Sequence, residues 1–298
     1  MAKKLNVLVT GANGQLGREI RRRVRRDGPR YLFSDVSRLP GEETLYLDIT
    51  DLDAVRLVSE SEQVDVIVNC AAYTDVEKAE SDTAMADLLN HRAAANLALV
   101  AKERGAVLIH ISTDYVFHGN RSEPYPEDWP TEPLGVYGAT KLLGEKAVTE
   151  SGCRYLIFRT AWLYSPYGKN FVKTMIRLTG ERDTLSVVSD QIGTPTYAAD
   201  LAGLITDLIA ARRFEPVGVY HYTDEGVCSW YDFACAIRDL AGNRCDIRPC
   251  WSSEYPTKAA RPSYSVLDKG KVRRTFGIAI PHWYESLVNC MQRIDEHH

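Results

Sequence analysis

The sequence predicts an α/β fold, a doubly wound parallel sheet with a smaller α/β cap built mainly from the C-terminal half. Three observations carry that expectation. Short unbroken apolar runs alternate with helix-like segments through the first 160 residues. The first of these runs leads directly into a glycine-rich turn and then a helix. No linker, low-complexity stretch or internal repeat divides the chain. A strand covered on both faces reads as a continuous apolar run, whereas a half-exposed strand alternates. Helices are therefore expected on both sides of the sheet.

The elements follow in order. Leu5 to Thr10 is a buried strand, Gly17 to Arg26 a helix and Arg30 to Ser34 a second strand. Ala54 to Ser59 is helical, and Val64 to Asn69 is another buried strand. Asp82 to Arg104 reads as one long Ala- and Leu-rich helix, followed by a strand over Ala106 to Ile111. Tyr137 to Glu150 is a helix and Tyr155 to Arg159 a strand. The second half is less regular. Asn170 to Thr179, Ala198 to Ala211 and Ser229 to Leu240 are helical, the last with Ser229 as N-cap. Short strands flank Val187 and Val219 to Tyr222. The expected division is a core over 1–160, completed by parts of 185–222, with 161–298 mostly forming an intimately packed cap.

Composition narrows the function classes. A chain of 298 residues, 45% hydrophobic and 26% charged, is an ordinary globular protein with a sizeable core. Its net charge of −4 gives no support to a nucleic-acid partner. The basic run Arg21 to Arg26 continues a helical pattern and reads as a solvated helix face. No apolar run approaches the roughly 18 residues that span a bilayer. The start passes straight into a strand without a cleavable signal. Seven scattered cysteines without a C-x-x-C pair argue against a disulfide framework or a zinc site, and fit a reducing cytoplasm.

Gly11-Ala12-Asn13-Gly14-Gln15-Leu16-Gly17 follows a strand and opens a helix. Its G-x-x-G-x-x-G spacing is a variant of the dinucleotide fingerprint of Rossmann-like sheets. The glycines permit a tight turn and close backbone approach to a pyrophosphate, which meets free N–H groups at the helix start. Gly11, Asn13, Gly14, Gln15, Leu16 and Gly17 are thus candidate coenzyme contacts. Asp35 ends the second strand, eighteen positions after Gly17. A carboxylate there suits ribose hydroxyls and repels a 2′-phosphate, which favours NADH. Arg18 and Arg38 nearby admit NADPH, and Asp35 also reads as a turn cap. Asp48 and Ile49 are candidates for the adenine side. Ala71, Ala72 and Tyr73 leave the central strand, where small residues let a coenzyme lie against the sheet.

Ile111 to Phe117 carries Ser112, Thr113 and Asp114 where a buried strand ends, the position at which open α/β sheets bind ligands. A Thr113 hydroxyl there can hydrogen-bond a carbonyl that is becoming an alkoxide; capping of the next loop is the bland alternative. Tyr137-Gly138-Ala139-Thr140-Lys141 sets a phenol and an ammonium on one helix face. Free tyrosine titrates near about 10. A neighbouring cation favours the phenolate, so the expectation is a lowered Tyr137 pKa and proton exchange with a substrate oxygen. Alone, this spacing is usually a solvated helix face. After the glycine loop and the Ser-Thr-Asp strand end it reads as an acid–base pair.

Seven stretches occur in order: GANGQLG at 11–17, NCAAYT at 69–74, STDYVF at 112–117, YGATKLLGE at 137–145, RTAWLY at 159–164, DQIGTPT at 190–196 and RPSYSVLD at 261–268. With them the chain resembles the extended short-chain dehydrogenase/reductase family over nearly its whole length, and within it the reductases of 4-keto sugar nucleotides. The resemblance implies hydride transfer from NADH or NADPH to the sugar C4. It implies that Tyr137 gives its proton to the C4 oxygen, and that Lys141 lowers the Tyr137 pKa and binds the nicotinamide ribose. Thr113 would hydrogen-bond the carbonyl and Asp114 a sugar hydroxyl. Trp162 is a candidate apolar wall, or else a core aromatic. Asn170 and Gln191 are candidate diphosphate contacts. Arg261 suits bidentate pairing with a diphosphate, or else is a surface arginine.

Sugar-nucleotide 4,6-dehydratases typically carry Thr-Asp-Glu, where this chain has Tyr115 after Asp114, which argues against water elimination. Two alternatives stand beside the reductase. One is another keto sugar nucleotide as substrate. The other is a non-catalytic binding module, such as the regulatory subunit of methionine adenosyltransferase, which resembles the same family. Retention of Thr113, Tyr137, Lys141 and the glycine loop favours an enzyme. A homodimer is the expectation from the prevalence of twofold assemblies. Some relatives bind Mg2+ at a subunit contact, but no ligand cluster in this sequence assigns one.

Overall fold

The computed structural model describes residues 3–25 and 27–295. Six strands, β1 (Asn6–Thr10), β2 (Arg30–Asp35), β3 (Leu45–Tyr46), β4 (Val66–Asn69), β5 (Val107–Thr113) and β6 (Arg154–Thr160), join the strand Gly218–His221 in one seven-stranded parallel sheet. From one edge the order is Gly218–His221, β6, β5, β4, β1, β2, β3. The chain runs outward one way through β1 to β3 and then restarts at β4 on the other side of β1. The switch point is therefore between β1 and β4, with Thr10 opposite Asn69 in register. Ligand crevices form at such reversals because the loops leaving the two strands diverge.

Helices cover both faces, as the continuous apolar strands require. They are α1 (Gln15–Arg23), α2 (Leu52–Ser61), α3 (Val76–Ala79), α4 (Thr83–Asp87), α5 (Ala93–Arg104), α6 (Val136–Glu150), α7 (Phe171–Glu181), α8 (Ala198–Ala210), α9 (Trp230–Leu240), α10 (Gly270–Phe276) and α11 (Trp283–Asp295). Successive residues of a strand face opposite ways. Val7 and Val9 pack with Leu16, Ile20, Leu201 and Ile205 of α1 and α8. Leu8, Ile67 and Leu108 pack the other way, against Val55, Leu97 and Val148 of α2, α5 and α6.

Some bounds differ from expectation. The first helix spans Gln15–Arg23 rather than 17–26; Val24 is already extended, and Arg26 lies outside the described residues. The helix expected to run unbroken over 82–104 contains a π turn, Leu88–Arg92, between α4 and α5. Helical spacing of Ala and Leu does not reveal such a turn, because one inserted residue leaves the apolar face nearly continuous. In the second half, Thr184–Val188 pairs with Asp246–Cys250 in parallel, a partner strand the sequence did not suggest. Helices α10 and α11 were likewise unforeseen, although Leu287, Cys290, Met291 and Ile294 recur at helical spacing and are buried. Ser229 caps α9 as expected, in a reciprocal box with Asp232.

Candidate active site

The glycine loop turns directly over the end of β4. Gly11 has φ +64, and a Cβ there would stand 2.5 Å from the Ala71 nitrogen. Only glycine permits both the backbone twist and the approach. Gly17 is equally confined, since a Cβ would stand 2.5 Å from the Ala12 Cα. Helix α1 begins at Gln15 with Gly14 as its N-cap and without a side-chain cap, which leaves the first-turn N–H groups available to a ligand. This cradle fits the pyrophosphate of a dinucleotide coenzyme.

The other coenzyme candidates frame the loop. Asp35 accepts from the Asn13 N–H at 3.1 Å and from the Ser37 N–H and hydroxyl at 2.9 and 2.7 Å. Its turn-cap role is thus real, and it also braces the glycine loop. Asn13 donates to the Ser37 carbonyl at 2.8 Å. Leu16 and Ile49 are buried in the two core layers, and Asp48 caps its own turn by accepting from the Thr50 N–H and hydroxyl. Asp48 is half-buried and only one of its carboxylate oxygens is engaged in that turn. Ala71, Ala72 and Tyr73 are half-buried beside Gly11. Asn90, in the π turn, accepts from the Tyr73 N–H at 2.9 Å and donates to the Tyr73 carbonyl and the Thr140 hydroxyl. It ties this loop to α6, a role that nothing in its neighbourhood in sequence announces.

Gln15 reaches away from the loop into the second half. Its amide nitrogen donates to the Leu163 carbonyl at 3.3 Å, and its oxygen accepts from Ser165 and Asn170, both at 3.0 Å. Asn170 belongs to the same network. It is the N-cap of α7, accepting from the Lys173 N–H, and its amide nitrogen is committed to Gln15, the Ser165 carbonyl and the Tyr167 carbonyl. A cap must satisfy the orphan donors of its own helix, which consumes the side chain. Gln191 is 8% exposed and donates to Ser252 at 3.0 Å.

At the carboxyl end of β5, Thr113 donates to Asp114 at 3.0 Å and accepts from the Tyr115 N–H. Asp114 is buried, and one of its oxygens has no hydrogen-bond partner among the described residues. Burial raises its carboxyl to about 6, against hydrogen bonds from Ser265 and Thr113 that favour the anion. Tyr137 packs edge-on against Tyr115 with ring centres 5.6 Å apart. Gly138 allows this, because a Cβ there would stand 2.2 Å from the Tyr115 carbonyl oxygen.

The electrostatics of the Tyr–Lys pair differ from the expectation. Burial pushes the Tyr137 phenol up to about 12; the hydrogen bond with Thr113 acts the other way and does not prevail. Lys141 is 2% exposed and donates to the Ile111 carbonyl at 2.5 Å. Burial lowers its ammonium to about 8, with Glu145 opposing. Desolvation outweighs the pairing that the spacing implied. Tyr137 is therefore held protonated, in the form that gives a proton.

Trp162 stands where β6 passes into the second half. Its φ of +49 is in the left-handed region, and its ring stacks on Trp230 at 3.5 Å. A Cβ at Gly193, in the Asp190–Thr196 stretch, would meet the Trp162 ring at 2.7 Å. The ring is half-buried and packs against the cap's aromatic cluster. Arg261 pairs with Glu77 at 2.8 Å and is neither free nor loosely solvated. Among the described residues, no group of three or more His, Cys, Asp or Glu is placed to hold a metal ion.

Residues 5–296 match the profile of the RmlD substrate binding domain. A dTDP-4-dehydrorhamnose reductase of Burkholderia thailandensis is 40% identical over 97% of this chain and 98% of its own length. The crystal structure of a dTDP-4-dehydrorhamnose reductase of Clostridium acetobutylicum superposes with a TM-score of 0.91 at 41% identity, covering 98% of this chain and all of that one. A dTDP-4-dehydrorhamnose reductase of Bacillus anthracis, solved in complex with NADP, gives 0.89 at 38% identity over 99% and 100% of the two chains.

Proposed function

This chain belongs to the RmlD substrate binding domain family, and on that premise we propose that it catalyses the NAD(P)H-dependent reduction of the C4 keto group of dTDP-4-dehydro-L-rhamnose to dTDP-L-rhamnose. The observation that carries the reading is the convergence of Thr113, Tyr137 and Lys141 at the carboxyl end of β5, two strands from the glycine loop. The nicotinamide coenzyme, when bound, supplies the hydride. Tyr137, held protonated by burial, gives its hydroxyl proton to the C4 oxygen as charge develops there. The Thr113 hydroxyl holds that oxygen in place. Asp114 meets a sugar hydroxyl with its unpartnered oxygen. Lys141 lies one helical turn from Tyr137 and holds the coenzyme ribose. Trp162 walls the sugar, and Arg261 meets the diphosphate.

Asp35 favours NADH by engaging ribose hydroxyls. The basic side chains of Arg18 and Arg38 beside it make room for NADPH, and Arg18 is steadied by stacking on Tyr167 at 3.9 Å. Residues 1–160, completed by parts of 185–222, serve the coenzyme, and 161–298 mostly serve the sugar nucleotide. No helix among the described residues is long and apolar enough to cross a membrane, and the seven cysteines are free, which supports a reducing cytoplasm. Pairing of two copies belongs to the same reading, and light scattering measures it. The test of function is oxidation of NADH and NADPH with dTDP-4-dehydro-L-rhamnose, alongside Tyr137→Phe. Substrate-dependent oxidation lost in the variant supports the proposal. Tight coenzyme binding without oxidation rejects it.

A further inference from the structure

Glu77 lies on α3, just beyond the end of β4. Its carboxylate collects three donors from a segment more than 180 positions away: the Lys258 N–H at 2.9 Å, the Ala259 N–H at 3.4 Å and Arg261 Nη2 at 2.8 Å. Burial works to raise the Glu77 carboxyl, yet these donors outweigh it and hold it below the ordinary range. The two side chains are 37% and 30% exposed, and an ion pair so placed adds little stability. What it provides is geometry. The Arg261 Nε, by contrast, is buried and has no hydrogen-bond partner among the described residues. A desolvated N–H without an acceptor is costly unless a ligand supplies one.

The segment that Glu77 anchors crosses the candidate site. Pro262 fills the space beside Gly119, where a Cβ would come within 2.4 Å. Ile192 donates to the Ser263 carbonyl, and Ser265 donates back to Ile192, both at 2.8 Å. The Ser265 hydroxyl lies beside Gly193, where a Cβ would stand 3.0 Å from it. The Arg261 charge acts on Tyr115, which packs on Tyr137. Arg261 thus begins a segment that reaches the Gln191 stretch two residues on, with one of its donors engaged by Glu77 and another waiting.

We propose that Glu77 is a positioning residue: it anchors the 257–261 strap and orients Arg261 so that the free Nε–H meets the diphosphate of the nucleotide sugar. This rests on the function proposed above. The test is dTDP affinity by calorimetry, read without turnover, together with steady-state kinetics. Glu77→Gln keeps the size and removes the charge. It is expected to raise the dTDP Kd and the sugar-nucleotide KM roughly tenfold, with kcat changed less than about threefold and coenzyme Kd unchanged. Combined with Arg261→Ala it should add nothing to the loss from Arg261→Ala alone. Wild-type dTDP affinity in Glu77→Gln, or effects that multiply in the double variant, overturn the inference. Arg261→Lys keeps the charge facing Glu77 and lacks the Nε–H, so it decides the matter even if Glu77→Gln does not fold. Loss of dTDP affinity supports the inference, and unchanged affinity overturns it. A wild-type chain that binds dTDP through this strap but reduces no keto sugar rejects the function alone. One that binds no dTDP rejects both.

Discussion

The Lys141 ammonium donates to the Ile111 carbonyl at 2.5 Å, bridging α6 and β5 one helical turn beyond Tyr137. The lysine thus spends a hydrogen bond on holding the helix to the strand that carries Thr113. The neighbouring phenol stays protonated because burial, not the cation, decides its titration. A protonated phenol suits the reductive direction, in which the forming alkoxide is by far the stronger base.

Replacing Tyr137 by Phe removes that proton and little else. Turnover is expected to fall by a factor on the order of a hundred or more, while coenzyme affinity stays near the parent value. Single-turnover rates with fluorescence titration of the coenzyme measure both. Undiminished turnover would take Tyr137 out of the mechanism.

Lys141 should cost the fold stability at neutral pH. Its pKa is lowered from 10.5 to about 8, so between those values the folded chain binds fewer protons than the unfolded one. Stability therefore rises with pH across that window, and the full cost is present below it. Lys141→Met is expected to melt above the parent at pH 7, with the gap closing towards pH 10.5, and to lose turnover. Thermal melts at the two pH values check this. An equal gap at both would refute the assignment of the cost to the ammonium.

Asp35→Ala is expected to weaken NADH more than NADPH, because only the unphosphorylated ribose leaves two hydroxyls for a carboxylate. Both dissociation constants are measured by titration. Asp35 also bonds the Asn13 N–H, so equal losses would mean that it acts by bracing the glycine loop.

Glu145 and Arg159 form a bidentate pair, 4% and 5% exposed, with contacts of 2.9 and 2.7 Å. Glu145→Ala leaves the guanidinium buried and unpaired, which should destabilise the chain by about 3–5 kcal/mol in urea denaturation. A loss under about 1 kcal/mol would show that the Glu127 carbonyl and His221, also beside Arg159, suffice.

The legible parts of the site are those whose chemistry repeats at short spacing. Gly11 to Gly17, Ser112 to Asp114 and Tyr137 to Lys141 each lie within seven residues. Asn170 and Arg261 were visible as polar residues in suggestive places, but their partners were not. Gln15 lies 155 positions from Asn170, and Glu77 lies 184 from Arg261. Periodicity carries no information at that range, so the partners of Asn170 and Arg261 were out of reach. Asn90 was hidden for a different reason, since a π turn leaves the pattern of a long helix intact.

Taken by itself, the sequence determined the parallel sheet, the glycine-rich loop after its first strand and the helical spacing that sets Tyr137 and Lys141 one turn apart. Strand burial, glycine freedom and helical spacing are local properties written residue by residue. The tertiary structure decided which form of Tyr137 is stable, where the Lys141 ammonium rests and which arginine N–H is left without an acceptor. Those outcomes depend on desolvation and on contacts between distant segments, and neither exists until the chain has closed around the groups concerned.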